Sequence, residues 1–252
     1  MIDTHCHVDF KDFDKDRNEV IKRAKENLKA LINSGTSFEG NIKALQLSKE
    51  YDSFIYPTFG FHPLQSANMN NEDVDKVLSQ IKEHLNEIVA IGEVGMDFFY
   101  VKDKLQRSKQ VDIFKRFCEF ANENQKPILI HCRDAEKKAF NIVSQFKNIP
   151  DVIFHCYSGS LKTAKKIEDM GYFTSVSTMI DYSKKHQELF SEVSLENILT
   201  ETDSPYLHPN RENRNEPSFV KLAIDKIAEI KGIDFSVVNK ITENNAKKVF
   251  NL

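Results

Sequence analysis

The chain has 252 residues, a formal net charge of −3, and 40% hydrophobic and 29% charged residues. A chain of this length buries roughly 70–75% of its unfolded surface, so its core needs no disulfide or structural metal, and no apolar run approaches the ~20 residues of a membrane span. The acidic balance argues against a protein that grips duplex nucleic acid over its whole surface, so any nucleic-acid contact should be local.

The beginning of the chain and its cysteines predict a cytoplasmic protein. No basic region followed by a long apolar segment opens the sequence, so no secretory signal is expected. The four cysteines are then expected to stay reduced: Cys6, Cys118, Cys132 and Cys156.

Eight short apolar runs follow one another along the chain and predict strands. They are IDTHCH, KALINSG, FIYPTFGFHP, EIVAIGEVGMD, KPILIHCR, DVIFHCYSG, YFTSVST and ENILTETDSPY. Charge-rich stretches with helical spacing lie between them, and this alternation is typical of βα units and a parallel sheet.

The stretch LQRSKQVDIFKRFCEFANENQ is the clearest of the predicted helices. Its apolar residues recur at three- and four-residue spacing, as one helix face requires: Val111, Phe114, Phe117, Cys118 and Ala121. Eight βα units in a chain of this length predict an α/β fold, a (β/α)8 TIM barrel, forming a single domain over residues 1–252. The rival is a doubly wound open sheet, which normally has fewer strands, and no G-x-G-x-x-G follows the first run.

Histidines and carboxylates stand at the C-terminal ends of five of these runs: His5, His7, Glu93, His131, His155 and Asp203. In a barrel, this end of the strands carries the active site, so the side chains should converge there. Four histidines and two carboxylates form the ligand set of a dinuclear hydrolytic centre. A lone histidine in a strand is more often a core residue, but six such residues at matching strand ends favour a metal site.

Three of the cysteines adjoin these histidines, which raises the question of which residue type binds the metal. Strand alternation sends each histidine inward and turns Cys6, Cys132 and Cys156 toward the helix layer, where a thiol behaves as a small apolar group. A CxxC zinc site would need another spacing. We therefore expect the histidines to bind and the cysteines to pack.

Six motifs, in their order and spacing, resemble the TatD family of metal-dependent hydrolases within the amidohydrolase-like barrels: MIDTHCH, IGEVGMDFF, ILIHCRDA, FHCYSGS, LTETDSPYL and RNEP. The similarity covers nearly the whole chain. It implies a distorted TIM barrel with two divalent ions that acts as a deoxyribonuclease on DNA ends or single strands. By motif, one ion would lie among His5, His7, Glu93 and Asp203, and Glu93 would bridge to a second ion held by His131 and His155.

One element of many family members is missing. They carry R-G-K or R-G-R just before RNEP, whereas this chain reads HPNRENRNEP without a glycine. The change touches no proposed ligand and bears on the loop that would face the substrate phosphate.

Catalytic roles are predicted for Glu93 and Asp203. Glu93 suits a bridge because a carboxylate offers two oxygens, whereas an imidazole offers one free lone pair. Asp203, at the edge of the site, is placed to orient the attacking water and take its proton, and Glu201 is the alternative for that role. Zinc, manganese and, more weakly at the histidines, magnesium are compatible with these ligands.

Substrate contacts are predicted for Arg133, Arg211 and Arg214, since a guanidinium matches a phosphate bidentately, and for His62 at the rim. Arg214 has an equally good structural explanation beside the predicted helix start in RNEP, and His62 precedes a proline that shapes a turn. Aromatic residues near strand ends are candidates to stack a base, although rim packing explains most of them: Phe61, Phe98, Tyr157 and Tyr206.

These observations predict a cytoplasmic, metal-dependent TIM-barrel hydrolase, a deoxyribonuclease that holds DNA through local contacts and has no membrane association. One alternative is a barrel amidohydrolase that cleaves a small amide, ester or cyclic amide. Another is a non-catalytic module that binds DNA ends or a partner. A complete ligand set argues against the latter, because mere binding does not require a bridging carboxylate.

Overall fold

The computed structural model describes residues 1–66 and 70–252. Within these residues eight parallel strands lie in chain order in one sheet. They are β1 (Ile2–Cys6), β2 (Ala30–Ser34), β3 (Ile55–Phe59), β4 (Ala90–Asp97), β5 (Ile128–Arg133), β6 (Val152–Phe154), β7 (Phe173–Val176) and β8 (Ile198–Thr200). Every predicted run contains one strand, and the predicted (β/α)8 barrel is confirmed.

Helices connect the strands and cover the outside of the sheet. In the described residues they are α1 (Arg17–Asn27), α2 (Phe38–Glu50), α3 (Pro63–Ser66), α4 (Asn71–Glu83), α5 (Lys104–Asn124), α6 (Glu136–Val143), α7 (Leu161–Asp169), α8 (Lys184–Glu192), α9 (Val220–Lys231) and α10 (Phe235–Phe250). Short 3₁₀ helices span Lys11–Phe13, Thr178–Asp181, Leu195–Asn197 and Pro217–Phe219. No helix among the residues described is long and apolar enough to cross a membrane.

Local sequence signals set the ends of the long helix α5. The side chain of Asp103 accepts a hydrogen bond from the backbone N–H of Gln106 and caps the helix start. The helix ends at Asn124, and the capping residue Gln125 adopts a left-handed conformation with φ of 50°. The predicted apolar face is buried: Val111, Phe114, Phe117, Cys118 and Ala121.

Strand alternation divides apolar residues between two layers. In β5, Ile130 and Cys132 pack in the large cluster between sheet and helices, whereas Leu129 packs on the other face. There it joins one or two residues from most other strands and the end of α10: Ile2, Ala30, Ile32, Ala90, Ile153, Phe173, Leu199, Ala246, Val249 and Phe250. This second cluster fills the lower barrel, so the polar residues lie above an apolar floor.

The barrel closes between β8 and β1 through an irregular seam. The Asp203 N–H donates to the His5 carbonyl at 3.0 Å, and the His7 N–H donates to the Ser204 carbonyl at 2.8 Å. The buried carboxylate of Asp3 accepts hydrogen bonds from the N–H of Thr202 at 3.0 Å and from its hydroxyl at 2.6 Å. Hydrogen bonds from side chains and loop residues thus replace regular strand pairing between β8 and β1. They hold the residues around Asp203 against β1.

Glu243 of α10 ties the first two strands to the last helix. Its carboxylate binds the Lys29 and Lys247 ammonium groups at 2.6 and 2.8 Å and the α-amino group of Met1 at 3.3 Å. Burial would raise the pKa of Glu243, but these cations outweigh burial and lower it from 4.5 to about 2. Stability from this carboxylate is therefore present above its unfolded pKa and is lost as the pH falls toward the folded pKa.

We predict that Glu243→Gln lowers the free energy of unfolding by about 1–2 kcal/mol at neutral pH, a value discounted because both lysines are exposed. Urea denaturation at pH 7 and at pH 3 measures the free energy of unfolding. The difference in this free energy between variant and parent should be smaller at pH 3. Glu229→Gln, which removes an exposed partner of Lys226, should change stability by less than ~0.5 kcal/mol. A difference that grows as the pH falls would contradict the assignment.

Candidate metal centre

A pocket of about 580 Å³ opens at the C-terminal end of the barrel strands. Its lining includes most of the histidines and carboxylates singled out in the sequence: His7, His62, Glu93, His131, His155 and Asp203. The rest of the lining is Phe10, Thr36, Leu64, Gln65, Asp97, Tyr100, Arg133, Tyr206 and Leu207. The pocket has the size and the few convergent polar groups of a small-molecule or substrate site.

The buried carboxylate of Glu93 is the centre of this pocket. Its Oε1 lies 2.7 Å from His131 Nδ1, 2.9 Å from His155 Nε2 and 3.4 Å from His62 Nε2. Its Oε2 lies 3.6 Å from the Nε2 atoms of both His5 and His7. The two oxygens therefore face two different groups of histidines.

Glycines bring Glu93 to this position in the middle of β4, whereas the sequence pattern predicted it at the strand end. Gly92 and Gly95 have φ of 156° and 149°, and the pairing of β4 with β5 shifts register between Ile91 and Val94. A Cβ on Gly60, at the end of β3, would lie 2.3 Å from the Glu93 nitrogen. Only glycine allows this backbone and this close approach.

The first donor group consists of His5 Nε2, His7 Nε2, Glu93 Oε2 and Asp203 Oδ1. The two histidine nitrogens are 3.1 Å apart, and Asp203 Oδ1 lies 3.5 Å from His5 Nε2 and 3.6 Å from His7 Nε2. A tetrahedron of ligands about 2.1 Å from a zinc ion has edges of about 3.4 Å. The spacings among His5, His7 and Glu93, and those from Asp203 to the two histidines, are close to this value.

The second donor group consists of Glu93 Oε1, His131 Nδ1 and His155 Nε2, with His62 beside them. The two histidine nitrogens are 3.1 Å apart, and each lies within hydrogen-bond distance of Glu93 Oε1. The same nitrogen and oxygen atoms are available as ligands to a cation. Geometry thus supports candidate clusters of histidine and carboxylate donors on both sides of Glu93.

Residues behind the histidines fix their ring orientation, and sequence analysis missed most of them. The His7 Nδ1–H donates to the Ser34 carbonyl at 2.9 Å, and the Ser34 hydroxyl lies 3.1 Å from His5 Nδ1. The buried carboxylate of Asp97 lies 3.2 Å from His131 Nε2. Such partners select the tautomer that presents the other ring nitrogen to a metal. Asp97 stands in the motif EVGMD four residues after Glu93, which was the available signal.

Glu201 has the same kind of position behind His155. Its Oε1 lies 3.4 Å from His155 Nδ1, and its other oxygen accepts a hydrogen bond from the Ser175 hydroxyl. Glu201 is fully buried and does not line the pocket. It is therefore placed to orient His155, and Asp203 is the residue that faces the open pocket.

The pKa values show how the pocket distributes charge. Burial would raise the pKa of Glu93, but the electrostatic interaction with the imidazoles of His62 and His155 and hydrogen bonds from His131 and His155 hold it well below its usual range. Burial alone would lower the pKa of His7, but the Asp203 carboxylate and the Glu93 charge outweigh it and raise the pKa to about 9. The centre keeps its carboxylate ionised, and a divalent cation competes with protons for the same atoms.

The predicted substrate contacts separate into two groups. Arg133 and His62 line the pocket. Arg211 does not line the pocket and lies over the Tyr182 ring at 5.1 Å. Arg214 is also outside the lining, and its guanidinium binds both carboxylate oxygens of Asp16 at 2.8 and 2.6 Å. It therefore has a structural contact, although a different one from the helix start that the sequence suggested.

Two of the three cysteines follow the predicted alternation. Cys6 is fully buried in a cluster with α1 residues, its thiol 3.4 Å from the Ile32 carbonyl, and Cys132 packs in the large helix-side cluster. Cys156 departs from the prediction because β6 ends at Phe154. It lies in a turn with φ of 43°, its thiol 3.4 Å from the Ser177 hydroxyl.

Comparison with known proteins agrees with this geometry. A family model described as TatD related DNase matches residues 2–251. The chain belongs to the TatD family. It is 42% identical over 249 residues to an uncharacterized metal-dependent hydrolase of Methanocaldococcus jannaschii, a match that covers 99% of this chain and 96% of that protein.

Two further TatD-family proteins show the breadth of the similarity. Human deoxyribonuclease TATDN3 is 32% identical over 259 residues, covering 99% of this chain and 94% of that protein. The crystal structure of YjjV, a TatD homologue from Escherichia coli, superposes with a TM-score of 0.91 at 25% identity, covering 100% of this chain and 98% of that one.

We predict that His5→Ala removes most of the bound divalent metal from this TatD-family chain, because it deletes one donor and widens the first group. Cys6→Ala, one position away, should keep the parent's metal content and lose only about 1–2 kcal/mol of stability, the cost of a small buried side chain. Elemental analysis after loading with zinc and desalting measures both. Loss of metal from the Cys6 variant would overturn the assignment of binding to histidine and packing to cysteine.

Proposed function

We propose that this chain is a divalent-metal-dependent deoxyribonuclease that folds as one domain over residues 1–252 and hydrolyses phosphodiester bonds of DNA strands or ends. The observation that carries the proposal is Glu93, whose two oxygens face separate histidine groups in a pocket that also contains Arg133. The deoxyribonuclease name of the human relative supports DNA as the substrate.

Six residues would hold two ions of zinc, manganese or magnesium: His5, His7, Glu93, His131, His155 and Asp203. When bound, the ions supply Lewis-acid chemistry, polarising the phosphoryl group and acidifying water. Glu93 would be a ligand in both groups, because its Oε2 faces His5 and His7 and its Oε1 faces His131 and His155. Asp97 and Glu201 would hold the imidazoles of His131 and His155 in the orientation that binding requires.

Asp203 is the residue we assign to proton transfer. Its side chain is 16% exposed, whereas the side chains of His5 and Glu93 are 0% and 3% exposed. Its backbone N–H is fixed on the His5 carbonyl. The carboxylate therefore faces the space where a water would attack, and it can orient that water and accept its proton.

Arg133 is the residue we assign to phosphate binding. Its side chain is exposed in the pocket, and no carboxylate in the described parts of the chain forms an ion pair with it. A free guanidinium beside a hydrolytic centre favours an anionic substrate such as DNA over a neutral amide, which is the enzymatic alternative. A module that only binds DNA ends would have no use for the complete donor set.

We predict that Asp203→Asn lowers kcat on single-stranded DNA by roughly 10²-fold or more, the usual contribution of a general base, with a much smaller change in KM. The amide keeps an oxygen for a ligand but does not accept the proton. Asp169→Asn, an exposed change on the outer helix α7, is the matched control and should leave kcat unchanged. Near-normal turnover of the Asp203 variant would exclude this residue as the base.

We predict that kcat/KM on single-stranded DNA falls with salt and that Arg133→Ala reduces the slope of log kcat/KM against log salt by about 0.7, the value for one phosphate contact on a single strand. Arg116→Ala, which removes a surface partner of Asp75, should leave the slope unchanged.

Protein loaded with Mg²⁺, Mn²⁺ or Zn²⁺ is assayed on single-stranded DNA, duplex DNA and a panel of amides. Hydrolysis of an amide, with no cleavage of DNA, would refute the proposed function.

A further inference from the structure

Three aromatic residues line the pocket: Phe10, Tyr100 and Tyr206. Each follows a polar residue of the pocket by three positions in the sequence. The Phe10 N–H donates to the His7 carbonyl at 3.0 Å, and the Tyr206 N–H donates to the Asp203 carbonyl at 2.9 Å. On the other side, the Tyr100 N–H donates to the Asp97 carboxylate at 2.7 Å. Tight turns thus hold the backbone of each aromatic residue close to the residue three positions earlier.

The first wall is formed by Phe10 and Tyr206. Phe10 stacks on the His7 ring with centroids 4.5 Å apart and planes 13° apart. Tyr206 meets Phe10 edge to face at 6.4 Å. Phe10 is held by its neighbours, but Tyr206 is 53% exposed and presents its ring to the pocket.

The second wall is formed by Tyr100 with Phe99 and Arg133. The Arg133 guanidinium lies 4.0 Å from the centroid of the Phe99 ring and 5.0 Å from that of Tyr100. Tyr100 is 60% exposed. Both tyrosines therefore leave about half or more of their surface open to solvent while they line the pocket.

Residues of both walls line the pocket that contains the donor groups. A ligand that reaches Glu93 from solvent therefore enters a pocket whose lining includes the rings of Tyr206 and Tyr100 and the guanidinium of Arg133.

We propose that Tyr206 and Tyr100 are stacking surfaces for unpaired nucleobases on the two sides of the scissile phosphodiester. This inference rests on the proposed deoxyribonuclease function. Nucleobases present flat π faces, and every base stacks on an aromatic ring regardless of sequence. A base paired in a duplex has both faces covered by its neighbours, so these walls bind a strand only where its bases are unpaired. Arg133 holds a phosphate beside the Tyr100 ring.

The test measures binding, apart from cleavage. Metal-loaded protein is titrated against a fluorescein-labelled short single strand with phosphorothioate linkages, which resist hydrolysis, and against the same strand with abasic sugars. Tyr206→Leu and Tyr100→Leu should each weaken binding of the strand with bases by between about 5-fold and about 150-fold. The Phe variants at both positions should bind as the parent does, because the ring is kept.

The abasic strand separates stacking from a loss of structure. It should bind the parent more weakly than the normal strand does, and the Leu variants should not weaken its binding further. Leu105→Ala, which changes an 81% exposed apolar residue of α5 outside the pocket lining, is the matched control and should bind both strands as the parent does.

Two results overturn the inference in distinguishable ways. If the protein binds and cleaves DNA but the Leu variants bind the normal strand as tightly as the parent, the tyrosines do not stack bases and the proposed function stands. If the parent binds neither strand and hydrolyses an amide, the deoxyribonuclease function fails together with the inference. Equal loss of binding to both strands in a Leu variant would show a structural effect and also contradict stacking.

Discussion

The carboxylate of Glu93 is the group on which the rest of this pocket depends. It is 2% exposed, and an uncompensated charge at such a depth costs several kcal/mol. Histidines on both of its sides provide the compensation at distances of 2.7–3.6 Å. The glycines of β4, the approach of Gly60 and the apolar barrel floor are all needed to hold one charged side chain in this place. The same donors would hold a cation beside the carboxylate.

The histidines around Glu93 are supported from behind in two different ways. The two near the start of the chain rest on neutral oxygens of Ser34, whereas His131 and His155 face the buried carboxylates of Asp97 and Glu201. A carboxylate behind an imidazole makes it a stronger donor. The first donor group includes the carboxylates of Glu93 and Asp203. The second includes only that of Glu93, but the carboxylates of Asp97 and Glu201 lie behind its histidines. Both groups therefore place several carboxylates near a bound cation.

Sequence patterns predict which side of a strand a residue faces and the order of strands and helices. They do not predict positions that depend on contacts between residues far apart in the chain. The alternation of His131 and Cys132 follows from the strand period, and the barrel follows from the repeated βα pattern. The mid-strand position of Glu93 depends on how its backbone meets β3 and β5, which no local pattern encodes. Arg214 binds Asp16, 198 residues away along the chain, and Cys156 leaves the alternation because its strand is short. The histidines and carboxylates that meet in the pocket were predicted from the sequence, but Ser34 and Asp97 behind them were not.

The seam between β8 and β1 makes the centre a late product of folding. Thr202 reaches Asp3 across 199 residues of chain, and such long-range contacts form slowly because a large loop must close first. A growing chain on the ribosome carries His5 and His7 from the outset but lacks Asp203 until the last strand has emerged. Chains that lack the last strand therefore carry His5, His7 and Glu93 without the Asp203 carboxylate, the fourth member of the first donor group. The first donor group is complete only after the last strand has been made and the barrel has closed.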